Sequence, residues 1–169
     1  MAANPPTTHG DIGTVKDALK TLLTGPDFER ELVTVEARFG DGLTVPRVPG
    51  HEVKTSEREG VPAQFPTVEI VGEVSDPDQQ VDYADLYGHA IAVIVWMNGD
   101  DEETVTKLVE RYLLAVRKTI RSESLMPMIG CRPVVRGREQ YGVVGRKSGL
   151  AHPFVKAGSI SFTVATIEA

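Results

Sequence analysis

A chain of 169 residues and 18.3 kDa fits one globular domain. Its 41% hydrophobic and 25% charged residues exclude a wholly disordered or collagen-like chain, and the net charge is −6. The single cysteine, Cys131, excludes an internal disulfide framework and any multi-cysteine zinc site. The longest apolar run, residues 90–97, is far shorter than the ~20 residues of a membrane helix. No basic segment followed by an apolar stretch opens the chain, so we expect a soluble protein that is not exported.

Charge is distributed unevenly along the chain. Up to Thr104 there are 20 acids and 7 bases, whereas from Val105 onward there are 4 acids and 11 bases. The two halves either neutralise each other within one fold, or they give different surfaces opposite fields that steer partners. Both interpretations stay open on the sequence alone.

The first elements are an arm, a helix and a strand. Residues 1–10 are rich in Pro and Thr without apolar periodicity, which predicts a mobile arm before a single domain over residues 11–169. Asp11 is placed to cap a helix whose apolar stripe ends at Gly25-Pro26. The spacing then changes to two, which predicts a half-buried strand over residues 31–39.

The middle of the chain predicts a long loop and the centre of a sheet. Residues 40–64 are rich in glycine, proline and charge, and we expect them to project. Residues 65–74 have strand character, and Ser75-Asp76-Pro77-Asp78 is typical of a turn. Residues 87–97 are apolar at both alternating sets of positions, which predicts a central strand covered on both sides.

A long amphipathic helix follows. Asp100 and Glu103 have the spacing of an acidic capping box, and apolar residues recur at helical spacing from Val105 to Ile120, with Arg111 among the bases on the exposed side. Short strands are predicted over residues 133–138 and 140–144, a basic flexible tip over 145–149 and a final strand over 158–167. The predicted fold is therefore α+β: one domain with a mixed, mostly antiparallel sheet, two main helices and a long projecting loop.

Motifs that carry catalysis or cofactor binding do not match. There is no Gly-x-Ser-x-Gly segment, and the phosphate-loop spacing from Gly137 to Gly142 continues with two valines. The four histidines are never at helical pair spacing, and His89 alternates with apolar neighbours as a core histidine would. The acids at residues 100–103 suit a helix N-terminus without any metal. We predict no catalytic residue, no metal and no cofactor, and hence no enzyme.

Bases dominate the segment from residue 132 to residue 156, which has six of them against the single acid Glu139. A nucleic-acid site would need stacking aromatics, and the segment has only Tyr141 and Phe154. The alternatives are a solvated basic hairpin or a contact with the acidic half of a neighbouring subunit. A head-to-tail contact of that kind propagates into a ring when its rotation closes.

Residues 65–167 follow an order of segments that points to a family. The order comprises Phe65-Pro66-Thr67-Val68-Glu69-Ile70, the acidic Ser75-Asp76-Pro77-Asp78, and Asp82-Tyr83 leading through Tyr87 and His89 into the apolar strand. Gly99-Asp100, a helix with Leu108, Val109, Tyr112 and Leu113, the basic hairpin and an alternating strand complete it. In this order and spacing the chain resembles the tail terminator, or tail completion, proteins of long-tailed bacteriophages.

The resemblance implies a ring, typically of six subunits, that caps the tail tube, stops its polymerisation and meets the head connector or stopper protein. Genomic DNA would pass through the ring without sequence-specific binding, no membrane or cofactor would be involved, and the location would be the neck of the virion, with assembly in the host cytoplasm. The residues expected at subunit or tube contacts are Arg132, Arg136, Arg138, Arg146 and Lys147. The residues expected to make contacts from the projecting loop are Arg47, His51, Lys54 and Arg58. The alternatives are another neck component, such as a head-completion or stopper protein, or a small cytosolic ligand-binding domain.

Overall fold

A computed structural model describes residues 12–56, 60–81, 84–121 and 133–168. Three helices, α1 (Ile12–Leu23), α2 (Pro26–Phe39) and α3 (Glu102–Arg121), combine with six strands. The strands are β1 (Val53–Lys54), β2 (Thr67–Val81), β3 (Ala84–Gly99), β4 (Pro133–Tyr141), β5 (Gly145–Arg146) and β6 (Phe154–Glu168). The predicted α+β class is confirmed, with three helices in place of two.

All the strands belong to one sheet. Its order is β1-β2-β3-β6-β4, and β5 pairs with the end of β6. The pair β1–β2 is parallel and the other pairs are antiparallel, so the sheet is mixed and mostly antiparallel as predicted. Strand β3 lies in the middle of the sheet, where the apolar segment 87–97 was predicted.

The helices pack against one face of this sheet, which we call the helix face. A Cβ on Gly158 would lie 2.5 Å from Cγ1 of Val109 in α3, and one on Gly72 would lie 2.2 Å from Cδ1 of Ile12 in α1. Gly72 pairs with Ile91, and Gly158 pairs with Val95, so both glycines lie on the face of the odd-numbered β3 residues. Helix α2 packs against α1 and α3.

The opposite face, which we call the open face, carries the even-numbered residues of β3. Ile94 and Trp96 are half-buried there, whereas Ile91, Val93 and Val95 on the helix face are buried. Ala92 on the open face is buried as well, so the predicted cover on both sides of the central strand is incomplete only at positions such as Ile94 and Trp96. Apolar residues occupy both faces, but within the described residues the helices cover only one.

A single hydrophobic core joins the three helices to the helix face of the sheet. Tyr112 of α3 is fully buried at its centre and meets Phe28 of α2 edge to face, with ring centroids 5.1 Å apart. His89 is buried on the same face opposite Val164, which agrees with the predicted core position. No helix among the described residues is long and apolar enough to cross a membrane.

The strand predicted over residues 31–39 is instead part of α2. Phe28, Leu32 and Val35 are buried at a spacing of four and three, whereas Val33 is 51% exposed and Phe39 is 48% exposed. The period-two pattern was misleading because it counted exposed Val33 and Phe39 as core positions. A proline in the first turn and a left-handed glycine after the last residue bound the helix.

The segment 40–64 does not project as one free loop. Val45 and Val53 are fully buried, and Val53 belongs to β1, which pairs with β2 at Val68. Pro62, near its end, is buried as well. These buried residues hold the described part of the segment against the domain. The sequence analysis missed this because it relied on the glycine and proline content of the segment.

Two predicted breaks in the strands also differ from the structure. The predicted turn at Ser75 to Asp78 lies inside β2, where Asp76 pairs with Gly88 and Pro77 with Tyr87, and irregularities in register adjoin it. The two strands predicted around Gly137 form one strand, β4, with a register shift between Val134 and Arg138. The predicted arm, the Asp11 cap and Cys131 lie outside the described residues.

Candidate interaction surface

A groove lies on the open face at the end of β3. Its floor is formed by Trp96, Val155 and Ala157, and Trp96 pairs with Ala157 across two strands. Val61 lines one side, and the other side is lined by residues 142–147, which pair with β6 along the edge of the sheet; the volume is about 460 Å³. We call this feature the Trp96 groove.

Lys147 joins the two walls of the groove. Its Nζ donates a hydrogen bond to the carbonyl of Pro62 over 2.8 Å and lies 5.6 Å from the ring centroid of Phe65. Its backbone N–H donates to the carbonyl of Pro153. This predicted interface residue thus holds the basic tip against residues 60–65, a contact between segments that lie far apart in the sequence.

His152, which follows the basic tip, makes two contacts near the end of β3. Nδ1 of His152 lies 2.5 Å from Oδ1 of Asp100, and the side-chain amide of Asn98 donates to the carbonyl of His152 over 3.2 Å. The residues that follow the predicted basic tip are therefore bonded to the end of β3, in addition to the bond between Lys147 of the tip and Pro62.

The remaining predicted interface bases are distributed around this surface. Arg138 is exposed and pairs in register with Ser161 on the open face. Arg146 is exposed and pairs with Phe154, which pairs with Gly99, so its side chain lies on the helix face, with its guanidinium 6.0 Å from the ring centroid of Phe154. Arg136 lies in β4, and Arg132 lies outside the described residues. Their role in subunit or tube contacts stays a prediction.

The bases predicted to make contacts from segment 40–64 have different surroundings. Arg47 donates to both carboxylate oxygens of Glu29, at 3.0 and 3.1 Å, and to Glu36. The hydrogen bond from Arg47 lowers the pKa of Glu36, and Glu36, followed by Glu29, raises the pKa of Arg47. Sequence analysis missed this internal cluster, which fixes the segment to the exposed side of α2.

His51 and Lys54 are closer to solvent. His51 is exposed, with Nε2 3.7 Å from a carboxylate oxygen of Glu52, and Lys54 donates to the carbonyl of His51. Arg58 lies outside the described residues. Contacts from these bases to a partner remain predicted.

A buried arginine forms a second polar cluster, on the helix side. The sequence predicted Arg111 on the exposed side of α3, but its side chain is only 4% exposed. Its guanidinium donates two hydrogen bonds, of 2.8 and 2.5 Å, to the carboxylate of Asp41. Its guanidinium also lies 4.3 Å from the ring centroid of Phe39. The carboxylate of Asp41 neutralises the guanidinium and the ring of Phe39 packs against it, which explains how Arg111 can be buried.

A cavity of about 470 Å³ lies beside this cluster, between α3 and β4. Arg117 of α3 pairs with Glu139 of β4 at 2.9 Å, and the hydroxyl of Tyr141 donates to Glu139 over 2.7 Å. Burial, followed by the hydrogen bond to Glu139, raises the pKa of Tyr141. These pairs link β4 to α3, and Glu139 neutralises a base of the helix.

Asp41→Asn is expected to destabilise the protein in a pH-dependent way. The hydrogen bonds from Arg111 and from the backbone N–H of Leu43 hold the pKa of Asp41 well below its usual value. A carboxylate with a lowered folded pKa stabilises the fold above its unfolded pKa of about 3.9 and loses that contribution as the pH falls through the folded pKa. Urea unfolding should therefore show a difference from the native chain that is full at about pH 7 and shrinks progressively below about pH 4.

Asp17→Asn is the matched control for that series, because it removes the same charge from an exposed position on α1. A difference between Asp41→Asn and the native chain that stays constant down to about pH 3 would contradict the assigned pair.

The described residues contain no group of three or more His, Cys, Asp or Glu side chains that could hold a metal ion. The expectation of no metal, no cofactor and no catalysis remains a prediction for the whole chain.

Comparison with known proteins gives a distant likeness to a solved structure. No protein-family model matches the chain, and no curated protein matches it. A chain in a solved structure described as the virion of a native gene transfer agent (GTA) particle is similar at 14% sequence identity and a TM-score of 0.40. The match covers 84% of this chain and 92% of that chain. A likeness at this level establishes neither a shared fold nor a shared role.

Proposed function

We propose that this chain is a structural subunit of a phage-like virion, and that six copies form a ring that caps the tail tube, ends its polymerisation and joins it to the head connector. The order of segments over residues 65–167 supports the proposal, and the mixed, mostly antiparallel sheet agrees with the α+β fold predicted from the sequence. The observation that carries the proposal is the one-sided cover of the sheet.

The open face has the character of an interaction surface. Ile94 and Trp96 are half-buried on it, and beside the groove Val61 is 53% exposed and Val143 is 94% exposed. Contiguous exposed apolar groups on a rigid hydrogen-bonded scaffold mark sites that bind other proteins. A subunit that must meet both its neighbours and a tube needs such a surface.

The two edges of the sheet favour a head-to-tail contact. Strand β4 forms one edge, and among the described residues the outer edge of β2 has no strand partner beyond Glu69. The sequence of residues 71–81 contains three acids and no base, whereas residues 133–141 contain two arginines and one acid. Opposite charges at opposite edges attract, and a head-to-tail contact closes into a ring when the rotation between neighbours divides a full turn.

The terminator role predicts an effect on tube length. The tail tube protein of the same virus should be polymerised with and without this chain, and tube lengths measured by negative-stain electron microscopy. We expect growth to stop once the chain is added, with a ring visible at one end of each tube. Unchanged growth would contradict the role, and binding to the head connector without binding to the tube would assign the chain to a head-completion or stopper function instead.

A further inference from the structure

Strand β4 ends the sheet with an exposed edge. The backbone N–H of Gly142 donates to the carbonyl of Ala157 over 2.9 Å, where the β4–β6 ladder ends. Hydrogen-bonded pairs alternate along an antiparallel ladder, so Gln140 bonds to β6, whereas the backbone groups of Glu139 and Tyr141 point away from it. Gln140 and Tyr141 are exposed, and no described strand lies beyond β4. The edge therefore offers N–H and C=O groups to another strand.

The cavity between α3 and β4 lies on the helix-face side of this edge. Glu139 pairs with Ile160 and Tyr141 with Gly158, so both side chains lie on the helix face, where they line the cavity together with Leu114 of α3. An added strand would place the side chains opposite Glu139 and Tyr141 on that same face. Two of its side chains, two positions apart, would therefore enter a cavity of about 470 Å³.

The charges that line the cavity favour a cationic side chain. Each lining base already has a nitrogen 2.9 Å or less from a carboxylate oxygen, in the pairs Lys107–Glu103, Arg111–Asp41 and Arg117–Glu139. Glu110 also lines the cavity, is exposed and forms no ion pair with a described residue. Its charge acts on Arg111 at longer range, but Asp41 already neutralises that base. A cation that enters would be attracted by Glu110, and an anion would be repelled.

The remaining lining is apolar. Phe39 is 48% exposed and Tyr141 is 45% exposed, and both rings line the cavity beside Leu114. The hydroxyl of Tyr141 donates to Glu139, which fixes the position of its ring. Partly exposed rings around one concave site favour an apolar side chain as a second occupant, since its entry removes apolar surface from water.

We propose that β4 accepts an extended segment of a partner protein as an additional strand, with an apolar and a basic side chain, two residues apart, in the cavity between α3 and β4. The main chain of the segment bonds to Glu139 and Tyr141, its apolar side chain packs against Leu114, and its basic side chain pairs with Glu110. The proposal goes beyond the virion role, since one copy of the chain forms the whole site. The proposed head-to-tail contact uses the same edge, so a bound segment excludes the neighbouring subunit.

Amide hydrogen exchange at three successive residues tests the strand addition. The 15N-labelled chain is titrated with the capped peptide acetyl-Thr-Val-Thr-Arg-Thr-amide, and exchange is followed by NMR. At a peptide concentration about ten times the dissociation constant, exchange at Glu139 and Tyr141 should slow about tenfold. Gln140 lies between them and should change little, because its N–H already bonds to β6. Unchanged exchange at Glu139 and Tyr141 with millimolar peptide would overturn the proposal.

The preference for a basic side chain is tested with a second peptide that carries Glu in place of Arg. We expect this peptide to bind about fivefold more weakly to the native chain. Glu110→Gln should bring the two affinities to within about twofold. The matched control, Glu102→Gln, removes an exposed acid of α3 outside the cavity and should keep the native preference. Equal binding of both peptides to the native chain, or equal effects of the two variants, would overturn the role of Glu110.

Light scattering on the same samples separates this proposal from the ring. Excess peptide should shift any assembled chain towards the 18.3 kDa of one copy, because the peptide and the neighbour occupy the same edge. Slowed exchange with an unchanged mass would support the peptide site and contradict the head-to-tail contact at β4. An assembled chain whose exchange and mass both ignore the peptide would contradict the peptide site and leave the ring standing.

Discussion

Gly158→Val should lower the free energy of unfolding by about 2–3 kcal/mol, although valine is by itself favoured in strands. A Cβ at this position would lie 2.5 Å from Cγ1 of Val109 and 2.9 Å from Cδ1 of Leu113. Val109 is β-branched and buried, so it cannot rotate away without moving α3. Equilibrium urea unfolding followed by circular dichroism measures the loss.

The preceding residue of the same strand supplies the control. Ala157 lies on the open face and is half-buried, so Ala157→Val adds the same kind of side chain away from the helices. We expect a change within about 0.5 kcal/mol. If both variants are equally stable, α3 does not pack closely against β6 through Gly158, and the assignment of the two faces is wrong.

Reversing two charges at the proposed interface is expected to abolish assembly. Arg138→Glu combined with Arg146→Glu places two acids where the proposed neighbour presents acids, and like charges across an interface cost several kcal/mol. The double variant should remain monomeric at concentrations where the native chain assembles. Assembly of the native chain should itself weaken as salt rises, because exposed charges are screened. Light scattering on a size-exclusion column records both effects.

The control for this variant is Arg30→Glu combined with Arg38→Glu. These two arginines are exposed on α2, on the helix side of the molecule, and their reversal changes the net charge by the same amount. The control should assemble as the native chain does. If the two double variants assemble equally well, Arg138 and Arg146 do not lie at the interface between subunits.

Elements with strong and unbroken periodicity were predictable from the sequence. Helix α3 keeps its apolar spacing from Val105 to Ile120, and residues 90–97 of the central strand are all apolar, so local pattern alone was sufficient for both. Helix α2 was missed because exposed Val33 and Phe39 happen to alternate with Val35. The same residues fit both a helical and an alternating strand pattern, and the burial of Phe28 and Leu32 against the rest of the fold selects the helix.

The candidate surface was only partly predictable. The basic hairpin was visible as a run of arginines and lysines, but the sequence could not show that Lys147 is bound to Pro62, 85 residues away, while Arg146 has no carboxylate partner in the described chain. The Arg111–Asp41 pair spans 70 residues and was equally hidden. Such contacts depend on strand register and helix packing, which composition and local spacing do not encode.

The most direct test of the structural role is the size and shape of the native chain in solution. Size exclusion with light scattering, over a range of concentration and salt, should give a species near 110 kDa, as expected for six copies of an 18.3 kDa chain, and negative-stain images should show a ring with a central hole. A chain that stays monomeric at every concentration, both alone and in the presence of tail tube ends, would contradict the proposed ring.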